Sequence, residues 1–349
     1  MSSIKPRLRV LTYNVWCHYP MSFLKQPSRV MWGFQCQARL ALLAQHIVEA
    51  QYDVVCLQEL FLLRVGPWGA AMRANWDFVV ARLAIGGYRW CNEPRDSGGA
   101  SGGGGGGGGG RWAAAGQNSG CAVFSRHELL RCESVGFART SEGFNAKGFV
   151  IADFRLPLAV ASGVGGQGQG QGRGQGQLVR VVCTHLDARD WGSKRAQIEQ
   201  LAAHLLHRSP LSPLSRCAAA GKEESGEVQE GGGEEEQVEQ EAAVLVVCGD
   251  FNVCPQVLGE GGYDDGAQYE FLVGVLGAAP LGLADAWTPA ESEPTEDEAT
   301  LDHVFLNKSA CKVVGKSVVR ITNEENYAIS DHLGLAVEID IVHDARSTT

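Results

Sequence analysis

The chain has 349 residues, of which 44% are hydrophobic and 20% charged, a make-up that fits a globular protein with a sizeable core. Its formal net charge is −10, but nine glutamates and one lysine between Lys222 and Glu241 account for −8 of it. The rest is close to neutral and lacks the concentrated basic face that a polyanion requires, which disfavours nucleic acid as a partner.

The opening residues, MSSIKPRLRVLTYNVW, pass from a short basic stretch directly into a strand-like run, without the apolar region of a signal peptide. No stretch reaches the length of a membrane span, so contact with a membrane is expected to be peripheral. The 11 cysteines are odd in number, sit mostly in apolar runs such as those around Cys56, Cys183 and Cys248, and include no CxxC pair. That usage points to free thiols in a reducing, cytoplasmic setting and argues against a structural zinc.

Short runs rich in Val, Ile and Leu predict buried strands in chain order at Leu8–Tyr13, Val54–Leu57, Cys121–Phe124, Phe149–Phe154, Val179–Thr184, Val244–Cys248, His303–Leu306 and Leu333–Ile341. Between the first two, Leu40, Leu43, Ala44 and Ile47 recur at helical spacing. A second helix carries Ile198, Leu201, Ala202 and Leu205, with Ser193 as its expected N-cap. Phe61, Leu62, Leu63, Trp68, Met72 and Trp76 form either an interfacial surface or a helix packed on the sheet. Strands interleaved with few helices imply two sheets packed face to face with helices outside. Three low-complexity tracts interrupt the pattern, at about 97–111, 161–177 and 218–243. They bury too little apolar surface to fold, so residues 1–349 read as one catalytic domain with three disordered insertions.

The informative positions are the polar residues that end the strands: Tyr13-Asn14-Val15-Trp16, Gln58-Glu59, Thr184-His185-Leu186-Asp187, Gly249-Asp250-Phe251-Asn252, Leu301-Asp302-His303 and Ser330-Asp331-His332. A strand terminus delivers a side chain from a rigid element to a site. Each ending taken singly fits an ordinary turn, but six drawn from Asn, Glu, His and Asp supply hard oxygen ligands for Mg²⁺ or Mn²⁺ and an imidazole titrating near neutrality. Phosphodiester hydrolysis needs an in-line water, a base, and positive charge for the phosphoryl oxygens and leaving alkoxide. A cation on Glu59 would supply the charge, and a histidine paired with a carboxylate would supply the base. No GxSxG and no P-loop occurs, which favours direct attack by water over a covalent intermediate.

The motif order NVW, QE, THL, GDFN, LDHV, SDH resembles the endonuclease/exonuclease/phosphatase superfamily along nearly the whole chain outside the insertions. The resemblance implies a deoxyribonuclease-like α/β/β/α sandwich of two mostly antiparallel sheets. It implies that Glu59 is a metal ligand with Asn14 and Asp331 nearby, and that the metal is Mg²⁺, with Mn²⁺ as a substitute. It further implies that His332 is the general base oriented by Asp302, that Asp250 and Asn252 position water and phosphate, and that His185 donates to a phosphoryl oxygen. Asn118–Arg126, Asn145–Phe149 and Gln58–Phe61 look most like neutral sphingomyelinases, which implies a phosphosphingolipid substrate at a membrane surface, with Phe61 and Lys147 as candidate substrate contacts. A nuclease or an inositol-phosphate phosphatase of the same fold is the alternative.

Overall fold

The computed structural model describes residues 6–17, 36–62, 66–91, 118–142, 147–157, 176–207, 244–256, 265–291, 293–296 and 299–342. The three low-complexity tracts lie outside these residues, with one correction: Gly176 and Gln177, read as the end of the second tract, belong to a strand.

Strand β1 (Arg7–Asn14) leads through helix α1 (Cys36–Ala50) to β2 (Val54–Gln58), α2 (Gly66–Ile85), the short β3 (Trp90–Cys91) and β4 (Ala122–Ser125). Next come β5 (Leu129–Gly136), β6 (Gly148–Pro157), β7 (Gly176–His185), α3 (Trp191–His207), β8 (Val244–Asp250), α4 (Asp265–Gly277), β9 (Leu283–Asp285) and β10 (Asp302–Asn307). The last two strands are β11 (Cys311–Val319) and β12 (Gly334–Ile341). They form two six-stranded sheets, ordered β11-β12-β1-β2-β4-β3 and β5-β6-β7-β8-β10-β9. Each sheet contains one parallel pair, β1 with β2 and β7 with β8, and is otherwise antiparallel. Parallel neighbours need a crossover, and α1 and α3 provide it on the outer faces.

Alternation along the strands builds the four layers. Leu8 and Val10 of β1, Val54 and Cys56 of β2, Val179, Val181 and Cys183 of β7, and Val244, Val246 and Cys248 of β8 fill the space between the sheets. Leu11, Tyr13, Val55 and Leu57 point the other way and bury Leu40, Leu43, Ala44 and Ile47 of α1, as their spacing predicts. Phe149, Ile151, Val182, Val247 and Phe305 do the same for Ile198, Leu201 and Leu205 of α3 and Leu272 and Leu276 of α4.

The N-cap of α3 is a correction. Asp190, not Ser193, precedes the helix, and its Oδ2 accepts the Ser193 backbone N–H at 2.7 Å. Ser193 lies inside the first turn, where it is buried.

Register decides where the strand ends fall. Asn14 stands opposite Gln58 in the first parallel pair, and His185 opposite Asp250 in the second. Antiparallel neighbours begin at the same edge: Asp302 opens β10 opposite Asp250, and Gly148 opens β6 opposite His185. The β12 strand starts beside the end of β1, just after His332. Both sheets thus send their polar termini to one end of the sandwich.

Candidate active site

Local backbone geometry fixes how the termini are presented. Gly249 has a φ of +143° in β8, and a Cβ there would lie 2.0 Å from the Thr184 carbonyl oxygen, so only glycine lets β8 pass β7 just before Asp250. Glu59 takes a φ of 60° at the end of β2, and Asn252 one of 51° two residues after β8. Both are non-glycine residues in the left-handed region, a cost of about 1–3 kcal/mol that persists where surrounding contacts hold the residue in place. The Asn252 N–H donates to Asp250 Oδ1 at 2.9 Å, its side-chain amide donates to the Leu186 carbonyl at 3.1 Å, and Lys194 donates to its carbonyl at 2.6 Å.

Asp250 is the hub. The Asn14 amide donates to its Oδ2 at 3.0 Å, while His185 Nε2 lies 3.4 Å and His332 Nε2 3.8 Å from the same oxygen. Asn14 also lies 3.5 Å from His332 Nε2, and its Oδ1 accepts the Trp16 N–H at 3.0 Å. Glu59 Oε1 comes within 3.9 Å of His185 Nε2. Lys147 is buried, with Nζ 2.6 Å from the same imidazole nitrogen and 3.5 Å from Glu142 Oε1. Asn14, Glu59, Lys147, His185, Asp250 and His332 are all buried, which strengthens their interactions relative to water.

His332 is oriented from behind. Its Nδ1 lies 2.8 Å from Asp302 Oδ2, leaving Nε2 facing Asp250, Asn14 and, at 3.8 Å, Glu296 Oε2. Burial opposes protonation of this imidazole, but the charge and hydrogen bond of Asp302 outweigh it. Asp250 and Asp331 act in the same direction, and His332 sits well above its usual value of 6.5. Burial also pushes the Asp250 carboxyl up to about 7, with Asp302 and Glu296 adding to it while His332 and Lys147 pull it back. Asp331 is half-buried and hydrogen-bonded to Ser330 Oγ at 3.3 Å.

The donor set fits a hard divalent cation. Glu59 and Asp250 offer carboxylate oxygens at one end of the sandwich, with the Asn14 amide donating beside them. Asp250, whose carboxyl is pushed up chiefly by burial and further by Asp302 and Glu296, marks a place where added positive charge is favourable. Among the described residues no group of three or more His, Cys, Asp or Glu side chains is spaced to hold a metal ion by itself.

The interfacial reading of the segment from Phe61 to Trp76 is corrected. Phe61 is 2% exposed and Leu62, Met72 and Trp76 are also buried, in the core that joins the first sheet to α1 and α2. The Phe61 ring packs on Gly120, where φ is +71° and a Cβ would stand 2.7 Å from the ring. Phe61 therefore supports the turn after Glu59 from below. Leu63 and the side chain of Trp68 lie outside the described residues.

Two structural partners of the site carried no distinctive sequence signal. Arg39 of α1 is 2% exposed and donates to the carbonyls of Val15 at 3.1 Å, Trp16 at 3.0 Å and Ile329 at 2.7 Å. It ties the segment after Asn14 to the segment before Ser330. Thr295 does a similar job beside Asp302, its Oγ1 accepting the N–H groups of Leu301 at 3.0 Å and Asp302 at 3.2 Å. His303, next to Asp302, bonds Asp285 Oδ2 through Nδ1 and the Val253 carbonyl through Nε2, both at 2.8 Å. It packs behind the site and braces β10 against β9.

A two-sheet sandwich with buried acidic, amide and imidazole groups gathered at one end defines a phosphoester-cleaving type of scaffold. The sequence matches the Endonuclease/Exonuclease/phosphatase family over residues 11–332, and the chain belongs to that family. Members of the family are hydrolases acting on phosphodiester bonds and generally depend on divalent metal. The fold is similar to the human Nocturnin catalytic domain with bound sulfate anion (18% identity, TM-score 0.56, covering 98% of this chain and 97% of that one). It is similar to sphingomyelinase C from Streptomyces griseocarneus (18% identity, TM-score 0.56, covering 95% and 99%). It also resembles D. rerio TDP2 complexed with single strand DNA product (14% identity, TM-score 0.52, covering 96% and 99%). At these identities the likeness carries the fold alone. Among curated proteins no sequence matches this chain.

Proposed function

We propose that this chain is a metal-dependent phosphodiesterase that cleaves a phosphosphingolipid of the sphingomyelin type into ceramide and a phosphorylated head group by direct attack of water. The observation that carries the reaction is the buried His332–Asp302 pair, 2.8 Å apart, with the free imidazole nitrogen facing Asp250 and Asn14. Asp302 holds the tautomer in which Nε2 takes the proton from water, and it stabilises the imidazolium that forms. Asp250 and Asn252 place that water and the phosphate. His185 is assigned the donor to a phosphoryl oxygen as the five-coordinate state develops, and Lys147, 2.6 Å from its Nε2, supplies the positive charge beside it. A hard divalent cation, Mg²⁺ or Mn²⁺, held by Glu59 with Asn14 and Asp331 nearby, would add charge for the phosphoryl oxygens and the leaving alkoxide.

The lipid assignment rests on the likeness of residues 118–126, 145–149 and 58–61 to neutral sphingomyelinases, and a sphingomyelinase C of the same fold supports it. Phe61 and Trp76 are buried and so offer no exposed aromatic surface to lipid, and no described helix is long and apolar enough to cross a membrane. Purified protein with Mg²⁺ is therefore offered sphingomyelin, lysophospholipids, an inositol phosphosphingolipid and plasmid DNA in parallel. The expected result is sphingomyelin turnover that is lost with chelator and with His332→Ala. DNA nicking without lipid turnover would overturn the lipid assignment and leave the phosphodiesterase reading standing.

A further inference from the structure

Among the described cysteines, Cys17 and Cys36 pair a buried thiol with a partly exposed one. Cys17 is buried three residues beyond Asn14, and Cys36 is the first residue of α1 and partly exposed. Their sulfurs lie 3.0 Å apart although 19 positions separate them in sequence. The Asn75 amide donates to Cys36 Sγ at 3.2 Å, and Arg39 stands one turn further along α1. The hydrogen bond from Cys17 holds the Cys36 thiol below its usual value against the opposing effect of burial, and Arg39 assists. The pair thus combines a partly exposed, more acidic thiol with a buried one. By contrast Cys56, Cys121, Cys183 and Cys248 are sealed between the sheets at 0% exposure, out of reach of a dissolved oxidant.

We propose that Cys17 and Cys36 form a reversible thiol–disulfide couple, closed by a small-molecule disulfide such as oxidised glutathione, that staples the segment after Asn14 to the start of α1. The Cys36 thiolate attacks one sulfur of the small disulfide, forms a mixed disulfide and expels one thiolate. Cys17 then attacks the Cys36 sulfur, the protein disulfide forms, and the second thiolate leaves. Two protein thiols lose two electrons and two protons, and the small disulfide becomes two thiols. Closure shortens the sulfur separation from 3.0 Å to about 2.05 Å, a movement of about 1 Å. Arg39 holds the carbonyls of Val15 and Trp16 between Cys17 and Asn14, so the site keeps its arrangement. The inference stands independently of the substrate.

The test incubates the full chain in glutathione buffers of increasing oxidised fraction, blocks remaining thiols with iodoacetamide and maps peptides without reduction. The expected product is a Cys17–Cys36 cross-linked peptide, reversed by dithiothreitol, formed while the four inter-sheet cysteines stay reduced. In Cys17→Ser, Cys36 is expected to carry glutathione as a stable mixed disulfide. The oxidised wild type is expected to melt several degrees higher, a shift missing from Cys17→Ser and Cys36→Ser. Absence of the cross-link across the whole series would overturn the proposal. So would pairing of either cysteine with a different one, or a Cys17→Ser variant whose Cys36 takes up no glutathione.

Discussion

Asp302 Oδ2 and His332 Nδ1 meet at 2.8 Å, both buried, one at the first residue of β10 and the other two residues ahead of β12 in the opposite sheet. The pair therefore bridges the two layers of the sandwich at its polar end. Because Asp302 is the main source of the upward shift, it also sets the pH at which His332 can accept a proton.

The sign follows from the role. A base must be neutral, so activity rises with pH through the His332 value, which lies above 6.5. In Asp302→Asn the stabilising negative charge is lost, and the acidic limb of the pH–rate profile is expected to move to lower pH. The turnover at the plateau falls by about 10²–10⁴-fold as the tautomer is no longer held. A profile of kcat against pH for both proteins decides this. A limb that stays in place would show that another group titrates there.

Glu59 is the carboxylate assigned to the cation, and it stands in the left-handed region at the end of β2. Glu59→Gln keeps the shape and removes the charge. The expected effect is a rise of at least about 10–100-fold in the Mg²⁺ concentration for half-maximal activity. A metal titration with EDTA-stripped protein measures it, and an unchanged midpoint would place the ion elsewhere.

Much of this arrangement is legible in sequence because apolar runs end abruptly in chemically unusual residues. Asn14, Glu59, His185, Asp250 and Asp302 follow or begin such runs, and strand pairing does the rest. The edge strands β5 and β11 escaped the same reading, since half-exposed Arg131 and Glu133 and exposed Lys312 and Lys316 break their apolar pattern. A bulge at Val313–Gly315 breaks the alternation further. Arg39 looks like any charge on the outer face of an amphipathic helix. Its burial depends on three carbonyls from two distant segments, a tertiary fact with no local signature. The apolar stretch around Phe61 has the composition of a membrane-facing surface and of a core helix alike, and only packing separates the two.

That distinction is testable. Phe61→Ala empties a core position over Gly120 and is expected to lower stability by about 3–5 kcal/mol, read from urea unfolding. Binding to sphingomyelin vesicles under folded conditions is expected to stay unchanged. Lost vesicle binding with intact stability would return Phe61 to the substrate surface.

Arg39→Ala removes the donors to two buried carbonyls and one partly buried carbonyl at once. A buried acceptor left without a partner costs about 1–3 kcal/mol, so the loss of stability is expected to exceed that of a surface substitution several-fold. The catalytic effect is separable from it. Arg39 touches neither Asn14 nor His332 through their side chains, and it acts by fixing the backbone on which both stand. At a temperature where the variant remains folded, kcat is expected to fall by about 10-fold or more, because a displacement near 1 Å can cost about 10²-fold, while KM changes little. The pH limb set by Asp302 and His332 is expected to stay where it is, since their 2.8 Å contact does not involve Arg39. A shifted limb with unchanged stability would mean that Arg39 acts on the charge of the site rather than on its geometry.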